Sequence, residues 1–387
     1  MEIKKLAEKY KDYIIEQRRF FHTIPELSLK EENTTKALAE ELKKIGVDEV
    51  LTFSDFNGVI GLIKGGKPGK TIMLRADIDA LPVEEHTGLD FASTNGNMHA
   101  CGHDGHMAVQ LGAAKILIDL KEELSGDVKL LFQPGEEVAV GAKYFVANGY
   151  LDDVDAVYGT HIWSQVESGK FNIEAGERMA SCDMFKIIVD GVSSHGSAPH
   201  LGHDALFAAA SIIMNVQSYV SRRNDPLNAV VVSIGTINGG QRWNILANHV
   251  EMEGTTRVFN KEARNAIEGE LNNIIQYTAK ALGVSAKLEY TRLTNPLIND
   301  NENLNKIAYD AAVKLYGEES LTPMPKLLGA EDFAFLMDKV PGFYGFIGCK
   351  TEEMVHNNHS DKFTVNESYL HMGSALAAQF AYDFLNE

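Results

Sequence analysis

Cysteine is scarce in this chain: Cys101, Cys182 and Cys349 are the only three. Odd in number and far apart, they exclude a disulfide framework and fit a reducing cytoplasm. No stretch reaches the roughly 18 apolar residues that a membrane helix needs. The opening residues, "MEIKKLAEKYKDY", are charged and amphipathic with no apolar signal core, so a cytoplasmic protein without membrane contact is expected. Positive charge is also short. Thirty-six Lys and Arg face 54 Asp and Glu, and the resulting net charge of −18 repels nucleic acid. Obvious repeats and low-complexity segments are absent. With 44% hydrophobic and 23% charged residues, the remaining expectation is a soluble globular protein acting on small molecules, long enough at 387 residues for two or three domains.

What is present alternates. "TTKALAEELKKIGV" has helical period, "KTIMLRADID" reads as a strand, "HMAVQLGAAKILIDLKEEL" as a long helix, and "GDVKLLFQPGEE" and "DAVYGTHIW" as strands. Such alternation predicts an α/β sheet covered on both faces, doubly wound, with function at the carboxyl ends of its strands. Three apolar runs end there in Asp77/Asp79, Glu136/Glu137 and His161. The middle third reads β-α-β-β-α-β, a ferredoxin-like unit over residues 182–293. The expected architecture is therefore one α/β domain made of residues 1–181 and 294–387, interrupted by a smaller inserted module, 182–293.

The densest chemistry lies in "MHACGHDGH", residues 98–106. Taken alone, Cys101 and His103 fit three readings. They could ligate a borderline metal, Cys101 could be a thiol nucleophile with a nearby base, or it could be an inert buried cysteine. "FQPGEE" supplies adjacent carboxylates, Glu136 and Glu137. One could ligate a metal while the other takes a proton from water, or both could simply be solvated in a turn. His161, and His356 or His359 in "HNNHSDKF", could equally be a core and a loop histidine. Only the metal reading uses every cluster. Cys101, His103, one of the two glutamates, His161 and one of the late histidines exceed what one tetrahedral ion requires, which points to two ions with a bridging group.

The chain resembles the aminoacylase/carboxypeptidase G family of metal-dependent amidohydrolases. Within it, the likeness is to the branch of hippurate hydrolases, bacterial N-acyl-amino-acid amidohydrolases and plant indole-acetyl-amino-acid hydrolases. It is carried nearly end to end by "FHTIPELS", "LRADIDALPVEEHTGL", "MHACGHDGH", "FQPGEE", "GVSSHGSAPH", "WNILANHVEMEGTTRVF", "GAEDFAFL" and "HNNHSDKFTVNE". The resemblance implies two divalent ions (zinc or manganese, with cobalt or nickel as alternatives) on Cys101, His103, Glu137, His161 and His359. His359 is selected over His356 by the match to "HSDKFTVNE", and Cys101 is the candidate bridge.

The same resemblance makes Glu136 the general acid/base and gives His195, in "SSHGSAPH", the role of polarising the scissile carbonyl. It associates Asn244 and Arg257 with substrate, and Asp77 or Asp79 with orienting a ligand imidazole. Arg257 could instead form a strand-face salt bridge. Glu331, in "GAEDF", matches a recurrent motif without an assigned role. The implied reaction is hydrolysis of an N-acyl amino acid by a homodimer or higher homo-oligomer, with residues 1–181 and 294–387 as the catalytic metal-binding domain and 182–293 as a lid or dimerisation domain. A dipeptidase or carboxypeptidase with the same two ions, a cysteine hydrolase using Cys101, and a non-catalytic binding protein are the competing expectations. The run "PGEEVAVGAK" departs from the small, Gly-rich continuation common in the branch, which bears on the acyl pocket.

Overall fold

Residues Ile72–Asp77 are buried without interruption, as expected of a strand covered on both faces, and the main sheet grows outward from them. The computed structural model describes residues 2–353 and 356–387. Its strands, in chain order, are β1 (Glu49–Thr52), β2 (Val59–Ile63), β3 (Lys67–Asp77), β4 (Ser125–Gln133), β5 (Ala156–Glu167), β6 (Phe171–Asn172) and β7 (Gly176–Met179). There follow β8 (Cys182–Asp190), β9 (Val230–Gly239), β10 (His249–Val258), β11 (Ser285–Thr294), β12 (Leu297–Asn299) and β13 (Gly342–Lys350).

The chain packs as two compact units. The first comprises residues 1–176, 299–325 and 335–387, and the second comprises 177–298 and 326–334. In the first, seven strands run in the order β1-β2-β4-β3-β5-β13-β6. The inner pairs β3–β4, β3–β5 and β5–β13 are parallel, and the outer ones antiparallel. β4 and β5 flank β3 on opposite sides, so the strand order reverses at β3. In an open α/β sheet that reversal leaves a crevice at the carboxyl ends, where side chains from several strands can converge.

Two helices, His103–Asp119 and Leu370–Asn386, are apolar almost all round and nearly wholly buried. A helix with that pattern belongs inside, and these two pack on each other and on the sheet. Small residues make the fit possible. A Cβ on Gly105 would lie 2.4 Å from Ile162 Cδ1, and one on Gly112 would lie 2.4 Å from Ser374 Oγ. The first helix begins where Gly102 turns left-handed, at φ 89°, a conformation that glycine adopts without strain. That turn places Cys101 before the helix and His103 at its first residue.

The second unit is a four-stranded antiparallel sheet, β11-β8-β10-β9, with the helices Ala205–Ser218 and Lys261–Ala281. Its own core gathers Phe185, Ile187 and Val189 from β8 with Ile212, Ile267, Leu271 and Ile275 from the helices. The element order is the β-α-β-β-α-β of a ferredoxin-like module.

Candidate metal centre

β3 ends at Asp77, β4 at Gln133, and the two are register partners. Beyond β4, Pro134 and Gly135 turn the chain so that Glu136 and Glu137 follow directly. Ala139 closes this turn with its N–H on Glu136 O at 2.8 Å and its own φ at +56°. His161 lies within β5 rather than at its end. The strand runs on to Glu167 because Ile162 and Trp163 continue the pairing with Ile347 and Gly348 of β13. His359 also has a positive φ, 70°, and is held by its N–H on Ala100 O at 2.7 Å. Asn358 beside it donates to Cys101 O at 3.3 Å and to Ile162 O at 3.1 Å. Among the described residues, two of the three non-glycine positions with left-handed backbone therefore border this cluster. Such conformations, which cost about 1–3 kcal/mol each, persist where the surroundings enforce them.

The donor atoms converge. Those of Cys101, His103 and His161 lie within 4.8 Å of one another, as do those of Cys101, Glu137 and His359, and those of His103, Glu136 and Glu137. Donors that sit about 2.0–2.3 Å from a common ion can be no more than about 4.6 Å apart, so these groupings approach coordination distance. Cys101 belongs to two of them. His356 is exposed and belongs to none among the described residues.

The hydrogen bonds give each imidazole an orientation. His103 donates through Nδ1 to Asp79 O at 2.9 Å, with Asp79 Oδ1 at 3.3 Å, which leaves its Nε2 lone pair facing the cluster. His161 donates through Nδ1 to Ile162 O at 2.8 Å, and its Nε2 sits 3.4 Å from Cys101 Sγ. His103 Nε2 and Glu137 Oε1 are buried with no hydrogen-bond partner among the described residues. His359 Nε2 is 3.4 Å from Glu137 Oε1. Orphaned donors of metal-ligating type, aimed at one another, fit a pair of divalent cations.

Electrostatics agree. Burial works against an imidazolium at His103, yet Asp77, Asp79 and Glu137 push its pKa up to about 10, so the pocket favours positive charge. Burial, reinforced by His106, holds His161 well below its ordinary value, so it is neutral and can donate a lone pair. For Cys101, burial followed by the charges of Glu137, Glu136 and Asp77 raises the thiol well above its ordinary range. A nucleophilic cysteine needs the opposite shift. A metal ligand does not, because coordination to a cation removes the proton outright.

The two aspartates of "LRADID" divide their work. Asp77 accepts from His106 Nδ1 at 2.5 Å and from Arg75 Nη1 at 2.6 Å, and lies 3.7 Å from His103 Nε2. His106 is occupied at both nitrogens, since its Nε2 accepts from Ile162 N at 2.7 Å. Asp79 instead ties His103 to the glutamate turn, accepting from Glu137 N at 3.0 Å and from Ser28 Oγ at 2.7 Å. Asp79→Asn keeps the carbonyl that accepts from His103 but removes the carboxylate charge 3.3 Å from Nδ1, and is expected to weaken divalent-metal affinity by about 10-fold, the low end of the loss seen when a group supporting a ligand is altered. Competition against a chelating indicator would measure this, and unchanged affinity would refute the orienting role.

Sequence reading missed a second layer of buried charge. Arg18, His22, Asp104 and Glu85 form a chain: Arg18 Nε donates to Asp104 Oδ2 at 2.7 Å, His22 Nδ1 meets the same oxygen at 2.8 Å, and His22 Nε2 meets Glu85 Oε1 at 3.0 Å. The signal was available, because Arg18 and His22 fall on the buried stripe of their helix with Ile14 and Phe21. Glu31 is the other omission. Fully buried, it accepts from the N–H groups of Leu29 and Gly135, both at 2.9 Å, and so braces the turn before Glu136.

Burial, then the charge of Asp79, pushes the Glu31 carboxyl up to about 7 from an ordinary 4.5. Between those values the folded protein retains a proton that the unfolded chain has released, so stability falls as pH rises through that window. In metal-free protein, the Tm of Glu31→Gln relative to wild type is expected to be higher at about pH 7.5 than at about pH 5. An equal offset at both would remove the assignment.

In the second unit, His195 is exposed and meets Ser197 Oγ through Nδ1 at 2.7 Å. Asn244 is half-buried, its Oδ1 without a partner among the described residues, and its carbonyl accepts from Gly196 N at 2.8 Å. Arg257 bonds within its own strand, to Thr255 Oγ1 and to Thr256 O, and among the described residues it does not form the strand-face ion pair considered from sequence. Glu331 is buried and accepts from Phe333 N at 2.9 Å.

Comparison with known proteins finds relatives of this chain. Residues 73–383 match the model for Peptidase family M20/M25/M40. Thermostable carboxypeptidase 1 of Saccharolobus solfataricus is 39% identical, covering 100% of this chain and 98% of its own. The N-acetylcysteine deacetylase of Bacillus subtilis is 38% identical over 95% of this chain and 96% of its own. The crystal structure of the Bacillus subtilis YXEP protein, described as a dinuclear metal binding peptidase, superposes with a TM-score of 0.87 at 34% identity. It covers 98% of this chain and 99% of that one.

Proposed function

The chain belongs to Peptidase family M20/M25/M40, and from that membership we propose that it hydrolyses N-acyl amino acids to a carboxylic acid and a free amino acid. The observation that carries the reading is the shared position of Cys101 in two donor groups, with Glu136 beside Glu137 and His103 in a third. Cys101, His103, Glu137, His161 and His359 are the residues that would hold two divalent ions, Cys101 being common to two of the donor groups. Bound there, such ions would supply Lewis acidity, making water a nucleophile near neutral pH.

The chain's own groups would move the protons. The Glu136 carboxylate takes a proton from the attacking water as the new C–O bond forms at the amide carbon. It then gives that proton to the departing nitrogen as the C–N bond breaks. Asp79 keeps the His103 lone pair facing inward throughout. We retain the sequence-based roles of His195 in stabilising the oxyanion and of Asn244 and Arg257 in holding the substrate. Residues 182–293 are proposed to act as a lid and as the contact surface of a homodimer.

The N-acetylcysteine deacetylase relative supports an acylated substrate, whereas the carboxypeptidase relative favours a peptide with a free carboxylate. A panel of N-acetyl, N-benzoyl and longer N-acyl amino acids beside unblocked dipeptides separates the two. Higher kcat/KM on blocked substrates is expected, with His195→Ala lowering kcat on each by about 10²-fold, as loss of an oxyanion donor does. Preference for dipeptides would give the second reading, and unchanged kcat in His195→Ala would remove that residue from the mechanism.

A further inference from the structure

Leu29 is the third described non-glycine residue with left-handed backbone, at φ 65°. A leucine is strained there, where a glycine is not. Burial does little to offset the strain, because the residue is 44% exposed. Hydrogen bonds on both sides hold it in place. Ser28 Oγ donates to Asp79 Oδ2 at 2.7 Å, and one oxygen, Glu31 Oε1, accepts from the N–H groups of Leu29 and Gly135. The side chain lies against the turn that carries the glutamates, since a Cβ on Gly135 would meet Leu29 Cδ2 at 2.8 Å. Val138 follows directly after the glutamate pair and is 49% exposed, and Ala139 beyond it has φ 56°. Val140 N and Gly141 N close this turn on Gly135 O at 3.1 and 3.3 Å. Single exposed hydrophobic residues mean little. Here two of them bracket Glu136 and Glu137 on backbone that other bonds enforce, and strain kept in this way collects where a protein meets its ligand.

We propose that Leu29 and Val138 form the wall that receives the acyl group, and that the preferred acyl group is an uncharged hydrocarbon chain of several carbons rather than acetyl. The inference rests on the proposed hydrolysis of N-acyl amino acids and names which of them the site takes. Charge selects the acyl portion of the substrate for this wall. The amino-acid portion ends in a carboxylate, which Glu136 and Glu137 between the two side chains would repel. An alkyl chain bears no charge, and its contact removes exposed hydrocarbon of Leu29 and Val138 from water. The wall also needs no ordering when the chain arrives. Ser28, Glu31 and Gly135 already fix one side of it, and the closed turn from Gly135 to Gly141 fixes the other.

Leu29→Gly deletes the side chain at a position whose backbone suits glycine, so the variant is expected to fold. On metal-loaded wild type, kcat/KM for N-hexanoyl-alanine is expected to exceed that for N-acetyl-alanine. The ratio of the two should fall about 10-fold in Leu29→Gly and about threefold in Val138→Ala, the scale of losing a few methylene contacts or one. An unchanged ratio in either variant, or equal losses on the two substrates, would overturn the wall. A changed preference between N-acetyl-leucine and N-acetyl-alanine, with the acyl ratio intact, would assign the surface to the amino-acid side chain and overturn it too. Binding separates this failure from failure of the hydrolytic reading. By calorimetry, hexanoate is expected to bind metal-loaded wild type about 10-fold more tightly than acetate, and Leu29→Gly to abolish most of that preference. That result without hydrolysis of any N-acyl amino acid would overturn the reaction and support the wall. Equal affinities for the two acids would overturn the wall, whatever the protein hydrolyses.

Discussion

Glu136→Gln is expected to lower kcat by about 10³-fold or more, within the 10²–10⁴-fold range that one general acid–base group contributes. The amide is nearly isosteric with the carboxylate, so folding and substrate binding should persist, and KM should change little. What disappears is the ability to accept a proton from water and return it to the leaving nitrogen. Metal content separates this from its neighbour. Glu136→Gln should still bind two equivalents of a divalent ion per chain, whereas Glu137→Gln should lose affinity, because Glu137 shares a donor group with Cys101 and His359. Comparable metal loss in both variants would overturn the division of labour between the two glutamates.

Chelator-stripped protein is expected to lose hydrolysis entirely and to regain it with zinc, manganese or cobalt. Stability should move in parallel. Each ion at about 100 times its Kd stabilises the folded state by about 2.7 kcal/mol, so the loaded protein should melt well above the stripped one. The same experiment decides between the two uses of Cys101. Metal chemistry predicts that alkylating reagents reach this buried thiol poorly in the loaded protein and that stripping alone abolishes turnover. A cysteine nucleophile predicts activity that survives stripping. Activity untouched by metal removal would end the metal reading, although burial and then the carboxylates around Cys101 already disfavour its thiolate.

The alternation of helix and strand, and the β-α-β-β-α-β order of the inserted module, were legible because periodicity is local and buried strands leave continuous apolar runs such as that ending at Asp77. The placing of His161 at a strand end was not accurate. β5 continues for six residues beyond it because its extension is decided by pairing with β13, which is remote in sequence. Asp77 and Asp79 looked equivalent as alternate residues of one strand. The strand stops at Asp77, and Asp79 turns to His103 and Glu137 while Asp77 serves His106 and Arg75.

By itself, the sequence determined the chemistry: which donor types exist, that they follow apolar runs, and that so acidic a chain repels nucleic acid. Those properties reside in residue identity and in spacings of a few positions. The tertiary structure alone decided which donors meet, which imidazole nitrogen faces inward, and that Arg18 and Asp104 pair in the interior. These depend on contacts such as Asn358 to Cys101, 257 positions apart, and on burial, which sets the charge state of each group. Neither can be read from a local pattern, because both come into being only when distant segments close on one another and exclude water.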